Sequence, residues 1–147
     1  MIPSELEELG FKLLHVGVAV PSLTSTTESL GALFGYKVVA GPFDDPIQKV
    51  TVNFLAKSDQ DVAEIELIAP LSEDSPITSI LSKGGGAAYH LCLETNDIDK
   101  ALEHVKKNGC IIVASPVPAV AFGGRRIAWI YTKARQLFEL VEADVKG

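Results

Sequence analysis

Four residues of this chain have the side chains best suited to chemistry, and they fall into two matched pairs. His15 opens the run His-Val-Gly-Val-Ala-Val, and His90 opens His-Leu-Cys-Leu-Glu-Thr. Glu66 is the centre of Glu-Ile-Glu-Leu-Ile and Glu139 the centre of Leu-Phe-Glu-Leu-Val. The histidines are 75 residues apart and the glutamates 73; histidine and glutamate are separated by 51 residues in the first half and 49 in the second. Near-equal offsets are what a duplicated unit produces. Each of the four has apolar neighbours: Val16, Leu91, Ile65 with Leu67, and Phe138 with Leu140. Side chains alternate along a strand, so those neighbours force the polar residue onto the opposite face. A buried carboxylate is costly unless it is paired or bound to metal. Two imidazoles and two carboxylates satisfy one another through a single divalent ion. Mixed nitrogen and oxygen ligands suit Zn²⁺, Fe²⁺, Mn²⁺, Co²⁺ or Ni²⁺ rather than Ca²⁺ or Cu⁺. An octahedral ion would keep two positions for water or a bidentate substrate. Glu64 shares the strand face of Glu66, and either could point inward.

The elements that must position these residues repeat as well. Leu13 to Val20 reads as a strand stopped by Pro21. Ser22 can cap a helix running to about Phe34, with Leu23, Leu30 and Leu33 toward the core and Gly35 as its stop. Tyr36 to Ala40 is a short strand, Gly41 to Pro46 a loop, and Lys49 to Leu55 and Val62 to Ala69 are strands. Pro76 starts a connecting helix with Ile77, Ile80 and Leu81 on its apolar side. Gly84-Gly85-Gly86 is a turn and not a phosphate loop, since no GxxxxGK[ST] pattern follows. Then come a strand from Ala87 to Glu94 and a helix capped by Asn96 or Asp97, with Ile98, Ala101, Leu102 and Val105 on one face. After it come a short strand from Cys110 to Ala114 and a Pro/Gly loop to Gly124. Strands at Arg126–Thr132 and Leu137–Glu142 end the chain. The order is strand, helix, strand, strand, strand, twice. The expected architecture is α+β: two tandem βαβββ modules, about 11–70 and 86–143, joined by a helix at about 74–84. They pair within a single domain of residues 1–147 into one curved mixed sheet around a central metal site.

Composition bounds the rest. A 147-residue chain can bury roughly two thirds of its unfolded surface, and 47% hydrophobic with 22% charged residues is a folded composition. A net charge of −6 argues against nucleic-acid binding, which needs a basic face. No apolar run approaches the roughly 20 residues of a membrane-spanning helix. The acidic start, Met1 to Glu8, lacks a signal-peptide pattern. Cys92 and Cys110 are too few for a disulfide framework, so a reducing cytoplasm is expected. The partners expected are a small-molecule substrate and, from exposed sheet edges, a second copy of the chain.

At these same residues the chain resembles the vicinal oxygen chelate superfamily. That group includes glyoxalase I, extradiol dioxygenases, fosfomycin and bleomycin resistance proteins and methylmalonyl-CoA epimerase. The resemblance spans nearly the whole chain and looks nearest to the epimerase branch. It rests on His15 to Val20, Glu66 to Ile77 (Glu-Leu-Ile-Ala-Pro-Leu-Ser-Glu-Asp-Ser-Pro-Ile), Tyr89-His90, Asn96-Asp97-Ile98, Gly123 to Ile127 and Phe138-Glu139-Leu140. It implies paired βαβββ modules, with His15, Glu66, His90 and Glu139 as metal ligands and dimers as the common assembly. Three features depart from the pattern. The first half's third strand, Thr51-Val52-Asn53, lacks the second carboxylate expected of epimerases. Tyr131 to Gln136 replaces a longer His-Pro-Lys turn, and Tyr89-His90 replaces a His-His pair.

The chemistry implied is metal-assisted proton transfer next to a carbonyl, with Glu139 or Glu66 as general base and acid. Epimerisation of an acyl-CoA or related thioester comes first, and a glyoxalase I-like reaction on a hemithioacetal second. A drug-binding or resistance protein, a thiol transferase acting on an antibiotic and a ring-cleaving dioxygenase are the rivals. Arg125 and Arg126, after Gly123-Gly124, are candidates to bind a substrate carboxylate or phosphate. Trp129 and Tyr131 could line the pocket, with core packing the first expectation; Cys92 is expected as a small buried residue, and His104 on the surface.

Overall fold

The computed structural model describes residues 4–58, 62–82 and 88–144. The elements run α1 (Ser4–Leu9), β1 (Lys12–Ala19), α2 (Leu23–Phe34), β2 (Lys37–Asp45), β3 (Val50–Ala56), β4 (Ile65–Pro70), α3 (Pro76–Ser82), β5 (Ala88–Thr95), α4 (Ile98–Lys107), β6 (Ile111–Pro118), β7 (Arg126–Tyr131) and β8 (Leu137–Glu142). The strand–helix–strand–strand–strand order therefore occurs twice, as β1-α2-β2-β3-β4 and β5-α4-β6-β7-β8. The strands of the first half are ordered β2-β3-β4-β1 and those of the second β5-β8-β7-β6, each mixed in direction. Among the described residues no helix is long and apolar enough to cross a membrane.

Local chemistry sets the helix ends. The Ser22 side chain accepts a hydrogen bond from the Ser25 amide, and Gly35, at φ +80°, closes α2. Asp97, and not Asn96, caps α4 by accepting from the Lys100 amide. Asn96 instead donates its side-chain amide to the Glu8 carbonyl.

Three expectations need correction. The loop expected at Gly41 to Pro46 is mostly strand: β2 runs on to Asp45 with two register shifts against β3. Bulged strands keep their pairing across turn-forming residues. Gly41 is needed there, because at φ +108° a Cβ would lie 2.8 Å from the Val52 carbonyl oxygen. In the same way β6 continues through Ser115 and Pro116 to Pro118, again with two register shifts. Finally, Leu33 is 65% exposed, while Leu23 and Leu30 do pack toward the core. The expected Gly84-Gly85-Gly86 turn, the end of the connecting helix and Ala87 lie outside the described residues.

The chain divides into two compact units, one of residues 15–89 and the other of residues 1–14 with 90–147. In the first, β1 runs parallel to β4, with Gly17 beside Glu66, and β3 pairs antiparallel with both β4 and β2. Val20, Leu55, Leu67 and Ala69 form its helix-side core, covered by Leu23 and Leu30 of α2. In the second, β5 runs parallel to β8, and β7 pairs antiparallel with both β8 and β6. Its core joins Ile98, Ala101 and Leu102 of α4 to Ala128, Ile130, Leu140 and Leu9. Leu9 is the unanticipated member. Its carbonyl accepts from the Thr95 hydroxyl at 2.8 Å and the Asn96 amide at 2.9 Å, which ties α1 to the end of β5.

Leu67→Ala should lower unfolding free energy by about 2–5 kcal/mol, the range for emptying a packed aliphatic site. Leu33→Ala should change it by no more than about 0.5 kcal/mol. Urea midpoints measure both, and equal losses would contradict the packing described.

Candidate metal centre

Each unit contributes one histidine and one glutamate from adjacent parallel strands. In the first, His15 on β1 presents Nε2 to Glu66 Oε1 on β4 at 3.1 Å. Both are buried. Glu64 is exposed, and its carboxylate accepts from the Tyr36 hydroxyl at 3.2 Å, so Glu66 is the inward glutamate. The ring of Phe54, directly opposite Glu66 in the β3–β4 register, meets the His15 ring edge-on.

The second unit repeats this arrangement. His90 on β5 presents Nε2 to Glu139 Oε1 on β8 at 3.3 Å, and both residues are buried. Trp129 stands opposite Glu139 in the β7–β8 register, and its ring meets the His90 ring edge-on. Behind this pair lies an apolar floor of Cys92, Ala119, Ile127 and Val141, with Leu14 and Phe122 against it.

His15 and Glu66 of one unit and His90 and Glu139 of the other are all buried, and each pair brings an imidazole nitrogen to a carboxylate oxygen. The set fits a divalent ion on chemical grounds. It mixes imidazole nitrogen with carboxylate oxygen, and two carboxylates would balance the charge of the ion. Burial so far from water is otherwise unfavourable for two carboxylates.

The arginines have partners already. Arg125 donates to the Glu94 carboxylate and to the Glu142 carbonyl, each at 3.2 Å. Glu94 shares the strand face of His90 and Cys92, so Arg125 lies on the ligand side of the sheet. Arg126 points to the α4 side. It donates to both oxygens of Glu142 at 3.1 Å and to Asp99 at 3.1 Å. Those hydrogen bonds from Arg126 hold the Glu142 carboxyl below its ordinary range, against the opposing effect of burial. Trp129 is half-buried beside His90 and Tyr131 is exposed. Cys92 is fully buried, as expected. His104 is not fully on the surface: it is half-buried, with Phe11 at 6.3 Å and Glu5 at 3.7 Å. Sequence reasoning missed Phe54, whose only signal was an apolar place on the alternating strand with Val50 and Val52.

Comparison with known proteins agrees with this geometry. The family described as the Glyoxalase/Bleomycin resistance protein/Dioxygenase superfamily matches residues 14–129. The ethylmalonyl-CoA/methylmalonyl-CoA epimerase of Cereibacter sphaeroides is 33% identical over 123 residues, covering 83% of this chain and 89% of that protein. The mitochondrial methylmalonyl-CoA epimerase of Dictyostelium discoideum is 30% identical over 134 residues, covering 89% and 78%. Among solved structures, methylmalonyl-CoA epimerase from Mycobacterium tuberculosis aligns with a TM-score of 0.81 at 28% identity, covering 99% of this chain and 94% of that one. A Streptomyces coelicolor methylmalonyl-CoA epimerase variant in complex with 2-nitronate-propionyl-CoA aligns with a TM-score of 0.76 at 26% identity, covering 91% and 98%.

The Arg126–Glu142 pair makes a pH prediction. A carboxyl whose folded pKa is depressed adds stability that is present above its unfolded value and lost as pH falls through the folded one. Glu142→Gln should therefore flatten the acid limb of the stability curve below about pH 4.5. Urea midpoints between pH 7 and pH 3 read this directly; parallel curves for variant and wild type would contradict it.

Proposed function

The chain belongs to the Glyoxalase/Bleomycin resistance protein/Dioxygenase superfamily, the vicinal oxygen chelate group, and from that premise we propose that it is a divalent-metal-dependent epimerase of a 2-substituted acyl-CoA thioester. The observation that carries this reading is the buried pair of histidine–glutamate contacts, repeated in both units with the same atoms facing. His15, Glu66, His90 and Glu139 are its metal ligands. The bound ion would act as a Lewis acid toward the substrate's carbonyl oxygen and so acidify the adjacent C–H. The ion is Co²⁺, Ni²⁺, Zn²⁺, Mn²⁺ or Fe²⁺, one per chain.

Glu139 or Glu66 would accept the proton from the α-carbon and return one to its opposite face. β3 supplies no second carboxylate. On the ligand side β3 offers Val52 and Phe54, while Asn53 faces the other way and donates to the Thr27 hydroxyl of α2 at 3.3 Å. The glutamates, or a water they hold, must then serve both faces of the carbon. Hydrophobic walls at Trp129, Phe54 and the floor below His90 would keep bulk water from the carbanion equivalent. Arg125, on the ligand side, would exchange Glu94 for a substrate carboxylate or phosphate; Arg126 is the second candidate. Two cysteines, too few for a disulfide framework, support a cytoplasmic setting, and the enzyme would work as a homodimer.

Tag-free protein should contain about one ion per chain. With Co²⁺ it should catalyse deuterium exchange from solvent at the α-carbon of methylmalonyl-CoA, and His90→Ala should lose both ion and exchange. Glu139→Gln should slow exchange by about 10²- to 10⁴-fold. Metal without exchange would redirect the search to hemithioacetals, and failure to take up Co²⁺ at all would sink the enzymatic reading. Arg125→Ala should raise KM for the thioester well beyond any fall in kcat; a change in kcat alone would remove Arg125 from substrate binding.

A further inference from the structure

The two units share a feature beyond the ligands themselves. In each, one aromatic ring stands on the strand antiparallel to the glutamate's and directly opposite the glutamate: Phe54 against Glu66 and Trp129 against Glu139. In each, that ring meets the histidine edge-on. The Phe54 and His15 centroids are 5.4 Å apart at 68° between planes, and those of Trp129 and His90 are 4.8 Å apart at 84°. In each, the histidine then presents Nε2 to the carboxylate, at 3.1 and 3.3 Å. The rings are themselves held. Phe43 of β2 meets Phe54 edge-on at 6.3 Å, and Trp129 packs against the cluster of Cys92, Ile127 and Val141.

A contact through one nitrogen does not by itself fix an imidazole. The torsion that turns the ring is broad and roughly two-fold, so a histidine on a strand can present either edge. A rigid wall on one flank removes that freedom, and the edge-on contact is the arrangement that aromatic quadrupoles favour. We propose that Phe54 and Trp129 are positioning residues, paired aromatic walls that lock His15 and His90 with Nε2 forward for metal ligation. The inference rests on the metal reading above and extends it to two residues that bring no ligand atom. Aromatic character opposite the glutamate then belongs to the duplicated unit as much as His and Glu do.

The test uses the full-length, tag-free protein and Co²⁺ alone. Trp129 is the chain's one tryptophan, so its fluorescence reports the ion's arrival at His90 in the wild type and in Phe54→Leu. The variants are Trp129→Leu, Phe54→Leu and the ring-conserving Trp129→Phe. Cobalt affinity is read by the metal's visible absorption, and the metal-free histidine ring signals by NMR. Both leucine variants should bind Co²⁺ about tenfold or more weakly, as loss of outer support typically does. The metal-free wild type should show a single sharp set of His90 ring signals, and Trp129→Leu a broadened or split one. Trp129→Phe should restore affinity and signals to near wild type. Leucine variants with wild-type cobalt affinity and unchanged ring signals would overturn the proposal, as would a Trp129→Phe as weak as Trp129→Leu. Because Phe54 and Trp129 lie in different units, a folding defect in one variant leaves the other as the test. A wild type that takes no Co²⁺ would remove the metal reading and this inference with it, whereas tight wild-type binding with indifferent variants removes this inference alone.

Discussion

The structure depends on the need to bury an imidazole and a carboxylate side by side in each unit. An ionised carboxylate taken out of water without a partner is unstable, and a neutral histidine alone offers it one hydrogen bond. Here the side chains of Glu66 and Glu139 are 6% and 4% exposed, and each has a histidine nitrogen within 3.3 Å. Each contact is made across a strand pair that runs parallel, β1 beside β4 and β5 beside β8, which brings residues distant in sequence to adjacent positions. Parallel neighbours in turn demand a long crossover. Each half supplies one with its helix and two intervening strands, so the topology follows from the polar pairs as much as from the hydrophobic pattern.

The two faces of the sheet have divided the work. On the helix side, the Leu67 and Leu140 clusters supply the burial that holds each unit together. The ligand side carries the histidines, glutamates and aromatic rings, with a small apolar floor in the second unit. A second set of charged groups sits on the helix side or at its rim. Arg126, Glu142 and Asp99 form such a network, and Lys49 pairs with Asp74 at the surface. Exposed pairs of this kind add little. The Arg126 network is more useful as a clamp between β7, β8 and the first turn of α4.

Alternation along strands was legible because apolar neighbours at i±1 leave a polar residue only one face to occupy. That is why His15, Glu66, His90 and Glu139 could be singled out together. Features that depend on backbone geometry were less legible. Gly41-Pro42 and Ser115-Pro116 carry turn chemistry, yet the strands run through them, because bulges let pairing resume on the far side. Leu33 fits the apolar spacing of α2 but lies beyond the reach of the sheet that covers Leu23 and Leu30. The segment before β1 read only as an acidic start without a signal-peptide pattern, and Leu9 proved to be part of the second unit's core.

The sequence by itself determined the duplicated βαβββ order, the four ligand candidates and the membership they imply, since these rest on period and spacing, which survive any folding detail. Only tertiary structure decided between Glu64 and Glu66, because that choice turns on Tyr36 reaching Glu64 from outside the sheet. Tertiary structure also assigned Arg126 to Glu142 and Asp99, and set Phe54 and Trp129 against the histidines. Each of these is a cross-strand or strand–helix contact. Such contacts are set by register, and register is a property of paired strands that no single strand's residue pattern contains.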